Sequence, residues 1–180
     1  SDVAAESLSK HKGELSLGAL TSLSDAAAES LSNHKGELNL FELKSLSDSP
    51  GHVALAECLS KHNSRLYWPY LKKLSDAAAE GLSKLKGELS LDGLTSLSDA
   101  AAESLSKHGD TLNLLGLTRL SAAAAESLSK RNGEGGLSLD GLTSLSDAAA
   151  SLSKRNGEGD LYLDGLTELS DAAAESLSKH

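Results

Sequence analysis

The sequence predicts an α/β protein in which one short unit, a strand followed by a helix, is repeated along the chain. Three observations carry that prediction. A Ser-Asp pair ahead of an alanine run recurs at Asp2, Asp25, Asp48, Asp76, Asp99, Asp147 and Asp171, with Ala122 in the equivalent place. The steps are 23, 23, 28, 23, 23, 25 and 24 residues, and a fixed period in this range is the mark of stacked repeats. Leu-x-Leu pairs keep the same beat from Leu15, Leu38, Leu89, Leu112, Leu137 and Leu161, with Trp68 replacing the second leucine after Leu66. About 23 residues cannot bury a leucine face alone, so neighbouring units must share one core.

Each part of the unit has its own physical reason. Leu15-Ser16-Leu17 and its copies alternate apolar and polar, as a strand with one buried face does. Leu20 and Leu23 extend the buried set along the bend that leaves the strand. Ser24-Asp25 then offers a hydroxyl and a carboxylate where a helix start has free amides and a partial positive charge. Ala26, Ala27 and Ala28 favour helix, and together with Leu31 they form a small apolar stripe. Lysine and histidine close the helix, where cations are favoured. Gly36, Gly87, Gly133 and Gly157 supply the turn back.

Parallel strands repeat at about 4.8 Å, whereas packed helices stand about 8 to 10 Å apart. Strands inside and helices outside therefore predict a curved solenoid, its parallel sheet on the concave side and its short helices on the convex side. The period and the LxLxxLxxL spacing resemble the leucine-rich repeat family over the whole chain. The usual asparagine after the strand is absent, with Leu20, Leu94 and Leu142 near that place. The units are thus closest to a divergent bacterial-type repeat of about 23 residues. The resemblance implies a surface for binding proteins and leaves the ligand open.

Residues 1–180 read as a single array of about seven full repeats, expected to be part of a longer one. A formal net charge of −9 argues against a nucleic-acid scaffold, which needs a basic face. No apolar run is long enough for a membrane span. A single cysteine excludes internal disulfides. Neither end trades its apolar residues for polar ones: Leu8, Leu169 and Leu177 stand where interior leucines stand. End-to-end association of copies is therefore an alternative role.

The third repeat, residues 48–75, breaks step. It inserts Ser49-Pro50-Gly51-His52-Val53, expected as an extra turn or a bulging loop on the helix side. Its strand region, Leu66-Tyr67-Trp68-Pro69-Tyr70-Leu71, is aromatic, and with Phe41 it holds four of the chain's five aromatics. Phe41, Arg65, Tyr67 and Tyr70 are the candidate contacts for a protein partner on the concave face, because aromatics on a rigid surface are common anchors. Trp68 replaces an inward leucine and is expected in the core. The sixth and seventh repeats carry longer turns, Arg131–Gly136 and Arg155–Asp160, expected as irregular coil.

Other candidates carry less chemistry. His11, His34, His62, His108 and His180 share one helix-end slot with Leu85, Arg131 and Arg155, which suits charge at a helix end better than metal ligation. The acidic turns around Glu134, Asp140, Glu158, Asp160 and Asp164 gather oxygens of the kind calcium takes, but no spacing matches a calcium loop. Ser-Leu-Ser-Lys is formally an S-x-x-K motif, yet its recurrence in nearly every unit marks a helix pattern and not a nucleophile. Cys58 reads as a quiet, partly buried thiol. The expectation is a non-enzymatic binding protein with no cofactor or metal.

Overall fold

The computed structural model describes residues 2–145, 151–152 and 159–177, and over these the protein is mixed α/β with parallel sheets. Asp147, the second long turn from Arg155 to Glu158, and His180 lie outside the described residues. Among those described, the helices are α1 (Asp2–Ser9), α2 (Asp25–Leu31), α3 (Pro50–His62), α4 (Asp76–Leu82), α5 (Asp99–Leu105), α6 (Ala122–Ser129) and α7 (Asp171–Leu177). The strands are β1 (Leu15–Ser16), β2 (Leu38–Asn39), β3 (Ser45–Leu46), β4 (Arg65–Tyr67), β5 (Lys73–Leu74), β6 (Glu88–Ser90), β7 (Leu112–Asn113), β8 (Leu137–Ser138), β9 (Ser144–Leu145), β10 (Leu161–Tyr162) and β11 (Glu168–Leu169). No helix among the described residues is long and apolar enough to cross a membrane.

The strands pair one repeat apart and in register. β4, β6, β7, β8 and β10 form a five-stranded parallel sheet, with Leu66 opposite Leu89, Leu89 opposite Leu112, Leu112 opposite Leu137, and Leu137 opposite Leu161. β1 pairs with β2 alone. Beyond the bend, β3 pairs with β5 and β9 with β11. These second pairings fall where the sequence indicates only a bend. From α1 to α6, each helix packs on the next.

The core follows the expected leucine pattern except in the first repeat, where Leu20 is exposed and Leu23 only half-buried. Leu38, Leu40, Leu43, Leu89, Leu91, Leu94, Leu112, Leu114 and Leu117 are buried from the strands and bends, and Ala28, Leu31, Ala79, Leu82, Ala102 and Leu105 from the helices. Each buried leucine contributes about 1.5 to 3 kcal/mol. Trp68 is buried with them, as its place in the pattern implies. Leu177's side chain is outside the description, while Leu8 and Leu169 are exposed.

The Ser-Asp pair does two jobs. Ser24, Ser75, Ser98 and Ser121 are N-caps whose hydroxyls accept from Ala27, Ala78, Ala101 and Ala124 N–H. The same hydroxyls of Ser24, Ser98 and Ser121 donate to the carboxylates of Asp2, Asp76 and Asp99 in the preceding helix. A line of serine–aspartate rungs therefore ties helix starts together between repeats. The serine after the helix leucine, the second serine of Ser-Leu-Ser-Lys where that motif is complete, turns back on the helix: Ser9, Ser32, Ser60, Ser83, Ser106 and Ser129 each donate to the carbonyl three residues back.

The insertion in the third repeat lengthens the helix. α3 has 13 residues against 7 in α2 and α4, with Pro50 in its first turn. Its start is capped from the previous repeat, since Gly51 N–H donates to Asp25 Oδ1 at 2.7 Å. A Cβ on Gly51 would strike the Asp25 carbonyl, so glycine is required here. The Ser49 hydroxyl and this amide hold the Asp25 carboxyl below its usual range against a smaller desolvation cost. Gly87 meets a different demand, with φ at 122° in the turn before β6.

The helix-end slot differs from its expectation. His34, His108 and Arg131 are fully buried. They point inward and reach the preceding repeat: His34 Nε2 lies 2.9 Å from Gly13 O, and Arg131 Nε donates to His108 O at 3.3 Å. Leu85 fills the same slot with hydrocarbon, so in these four repeats the position is an inter-repeat spacer, whereas His11 in the first repeat is exposed and His62 after the lengthened helix is half-buried. Cys58 is also buried; its thiol donates to His34 O at 3.4 Å, and desolvation raises its pKa.

His108 gives this interior a pH dependence. Neither ring nitrogen has a partner in hydrogen-bonding geometry among the described residues. Burial, with the Arg131 guanidinium nearby, pushes the imidazole below its usual range, and the Ser83 and Thr111 backbone offsets this only in part. The unfolded chain protonates this ring near pH 6.5, so below that value the unfolded state binds more protons than the folded one. Stability is thus full above about pH 6.5 and declines as the pH falls toward the lowered folded value. In thermal unfolding followed across this range, His108→Leu should flatten the decline. An unchanged slope would clear His108 of the effect.

Candidate functional site

The regular ladder stops between the second and third repeats. Elsewhere the second inward residue of each strand donates its N–H to the next strand. Leu17 reaches Asn39 O at 2.9 Å, Trp68 reaches Ser90 O at 2.9 Å, Leu91 reaches Asn113 O at 2.8 Å, and Leu114 and Leu139 reach Ser138 O and Tyr162 O at 2.9 Å. Leu40 holds the same position after β2, and its N–H donates to no acceptor among the described residues. β2 and β4 belong to separate sheets. The interruption coincides with the step of 28 residues from Leu38 to Leu66, where the neighbouring steps are 23. Pairing of β3 with β5 past the bend keeps the two repeats joined, so the mismatch is confined to the strand end.

Asn63 bridges part of the gap. Leu38 N–H donates to Asn63 Oδ1 at 3.3 Å, and Asn63 Nδ2 donates to Leu38 O at 3.0 Å. A carboxamide carries one acceptor and a donor group side by side, so it serves as a one-residue stand-in for the missing strand. The rest of the gap is a cleft of about 350 Å³ whose lining includes Glu14, Glu37, Leu40, Phe41, Asn63 and Tyr67.

Three of the four sequence-predicted contacts cluster beside this cleft, Phe41 and Tyr67 in its lining and Tyr70 against the Phe41 ring. The Phe41 ring centroid lies 5.7 Å from that of Tyr67 at 53°, and 5.5 Å from that of Tyr70 at 81°. Such tilted and edge-on contacts contribute about 0.5 to 1.5 kcal/mol each. Tyr67 and Tyr70 are 44% and 47% exposed, so the cluster presents ring surface to solvent. Arg65 also lines the cleft, but its guanidinium turns to the fourth repeat. Its Nε lies 3.1 Å from Glu88 Oε2, and Asn113 Nδ2 donates to Glu88 Oε1 at 2.9 Å. An exposed pair of this kind is worth about 0 to 1 kcal/mol.

A second polar cluster sits at the start of α3. Ser47 N–H donates to His52 Nδ1 at 3.1 Å, and His52 Nε2 lies 3.2 Å from Leu23 O. A backbone amide can only donate, so Nδ1 is the bare nitrogen and Nε2–H donates to Leu23. The Ser47 hydroxyl lies 2.6 Å from the same Nδ1 and 2.8 Å from the Ser49 hydroxyl. Both ring nitrogens are thus committed to joining the bend to the helix start. The acidic turns make similar local bonds: Asp164 N–H donates to Asp140 Oδ1 at 3.0 Å, and Tyr162 O–H donates to Asp160 Oδ2 at 3.0 Å, which raises the phenol's pKa.

Sequence reasoning finds the aromatic trio and misses Asn63, Glu14 and Glu37. A signal for Asn63 exists: it stands where regular turns carry Lys35 and Lys86, immediately after the lengthened helix. No protein-family model matches the chain, and no curated protein matches it.

Asn63→Ala removes both bonds to Leu38 and leaves a strand N–H and C=O unpaired beside the cleft. The expected cost is about 1 to 3 kcal/mol in urea unfolding. A loss within error of zero would mean that water satisfies Leu38 as well as Asn63 does.

Proposed function

We propose that the chain is a protein-interaction module, a leucine-rich-repeat-like curved solenoid whose concave strand face binds a protein partner beside the third repeat. Parallel strands one repeat apart and helices packed in sequence support the solenoid reading, because strand and helix spacings differ about twofold and the array must bend. Phe41, Tyr67 and Tyr70 are its apolar anchors, and Arg65 its polar contact at the edge of the patch. The carrying observation is the cluster of ring contacts: two half-exposed tyrosines braced on Phe41, at the one place where the described strand face opens into an aromatic-lined cleft. Rigid aromatics lose little entropy on binding and dominate interface energetics.

A second reading is a spacer or self-assembling element that joins copies through its end units. It is favoured by an apolar groove of about 360 Å³ whose lining includes Ala5, Leu8, Leu17, Leu20, Leu23 and Leu31, with Val3 exposed nearby. Light scattering separates the two, because end-to-end joining gives a mass that grows with concentration.

For the leading reading, Phe41→Ala or Tyr67→Ala alone should reduce partner capture by a factor of about 30, a hot-spot truncation costing about 2 kcal/mol, and the two combined by more. Both side chains are partly exposed, so the variant should stay folded, its thermal unfolding midpoint lowered only by the several degrees that losing the two ring contacts costs. Undiminished capture by the double variant would refute the placement.

A further inference from the structure

Two further properties of the cleft specify the chemistry of its occupant, on the premise that this face is the interaction surface proposed above. The first is charge. Leu15 pairs with Leu38 in register, which sets Glu14 and Glu37 side by side on adjacent strands. Like charges placed directly opposite each other in a sheet repel. Among the described residues, neither carboxylate has a cation within ion-pair distance, and the one hydrogen bond to the Glu37 carboxylate is from the Ser64 hydroxyl at 3.3 Å. The contrast is Glu88 in the same column, which Arg65 and Asn113 neutralise and hold. In the turns that follow β6, β8 and β10, Asp92, Asp140 and Asp164 add negative charge. Lys12 and Lys35 stand two residues before Glu14 and Glu37 but form no ion pair with them among the described residues. Lys44, Lys72 and Lys73 lie toward or past the bend, and Lys72 Nζ is engaged with Gly93 O at 3.1 Å.

The second property is the free donor. Leu40 is 1% exposed and lines the cleft, yet its N–H has no acceptor among the described residues. Buried backbone amides are nearly always paired. A ligand that supplies a carbonyl at this point restores the bond that Leu17, Trp68, Leu91, Leu114 and Leu139 make to the neighbouring strand.

We propose that the cleft takes an extended, basic peptide segment of the partner. One of its arginine or lysine side chains lies against the Phe41 and Tyr67 rings and ends between Glu14 and Glu37. A backbone carbonyl of the same segment accepts from Leu40 N–H. Cation–aromatic contact and the two carboxylates act on the same group, and the amide fixes the direction of the segment.

The test is fluorescence anisotropy at physiological ionic strength with a short labelled peptide of alternating glycine and arginine, beside its glycine–glutamate counterpart. The arginine peptide should bind and the glutamate peptide should not. Glu14→Gln with Glu37→Gln should weaken binding about tenfold, and Phe41→Ala comparably. Asp140→Asn with Asp164→Asn removes the same charge away from the cleft and should change binding by less than about twofold. Equal losses from the two charge pairs would reduce the effect to general attraction and overturn the proposal, as would an absence of arginine-peptide binding. If partner capture still depends on Phe41 and Tyr67 in that event, the surface is right and its basic ligand chemistry is wrong.

Discussion

The distance between one strand and the next is set by a backbone hydrogen bond, N–H to carbonyl, made once per repeat by the second inward residue. Leu17, Trp68, Leu91, Leu114 and Leu139 make it at nearly constant length. With strands about 4.8 Å apart, every other part of the unit must fit that step. The helices carry alanine and not leucine at positions such as Ala28, Ala79 and Ala102, because crowded helix faces leave room for little else. The serine at each regular helix start caps its own helix, and three of them also reach the carboxylate one repeat back. A pattern that reads as compositional bias is thus imposed by spacing.

Much of this is legible in the sequence, because the period exposes it. Strand positions, buried leucines, N-capping serines and the inward turn of Trp68 all follow from alternation and the 23-residue beat. The second set of short strands does not, since β3 and β5 have two residues each and no alternation to betray them. The inward course of His34, His108 and Arg131 is missed for another reason. Helix-end preference favours cations, and it cannot tell a side chain reaching water from one reaching the neighbouring repeat. Leu85 in the same slot is the clue that the position is internal.

The site is legible in part. Aromatic residues crowded around a broken period single out the third repeat from residue order alone. That the extra residues lengthen α3, that β2 and β4 part, and that an asparagine side chain fills part of the gap depend on how a mismatch of five residues is absorbed. No local rule decides between stretching a helix, bulging a loop and opening a sheet. Here the helix takes the added length, Asp25 caps it across the repeat boundary, and the strands separate where aromatic rings and unpaired carboxylates gather.

Amide hydrogen exchange under native conditions measures the central claim residue by residue. A ladder shared between repeats and interrupted once predicts strong protection at Leu17, Leu91 and Leu114, and exchange at Leu40 faster by about tenfold or more, one hydrogen bond contributing roughly 1 kcal/mol or above. Equal protection at Leu40 would mean that β2 and β4 are bonded after all, and the cleft with its free donor would have no physical basis.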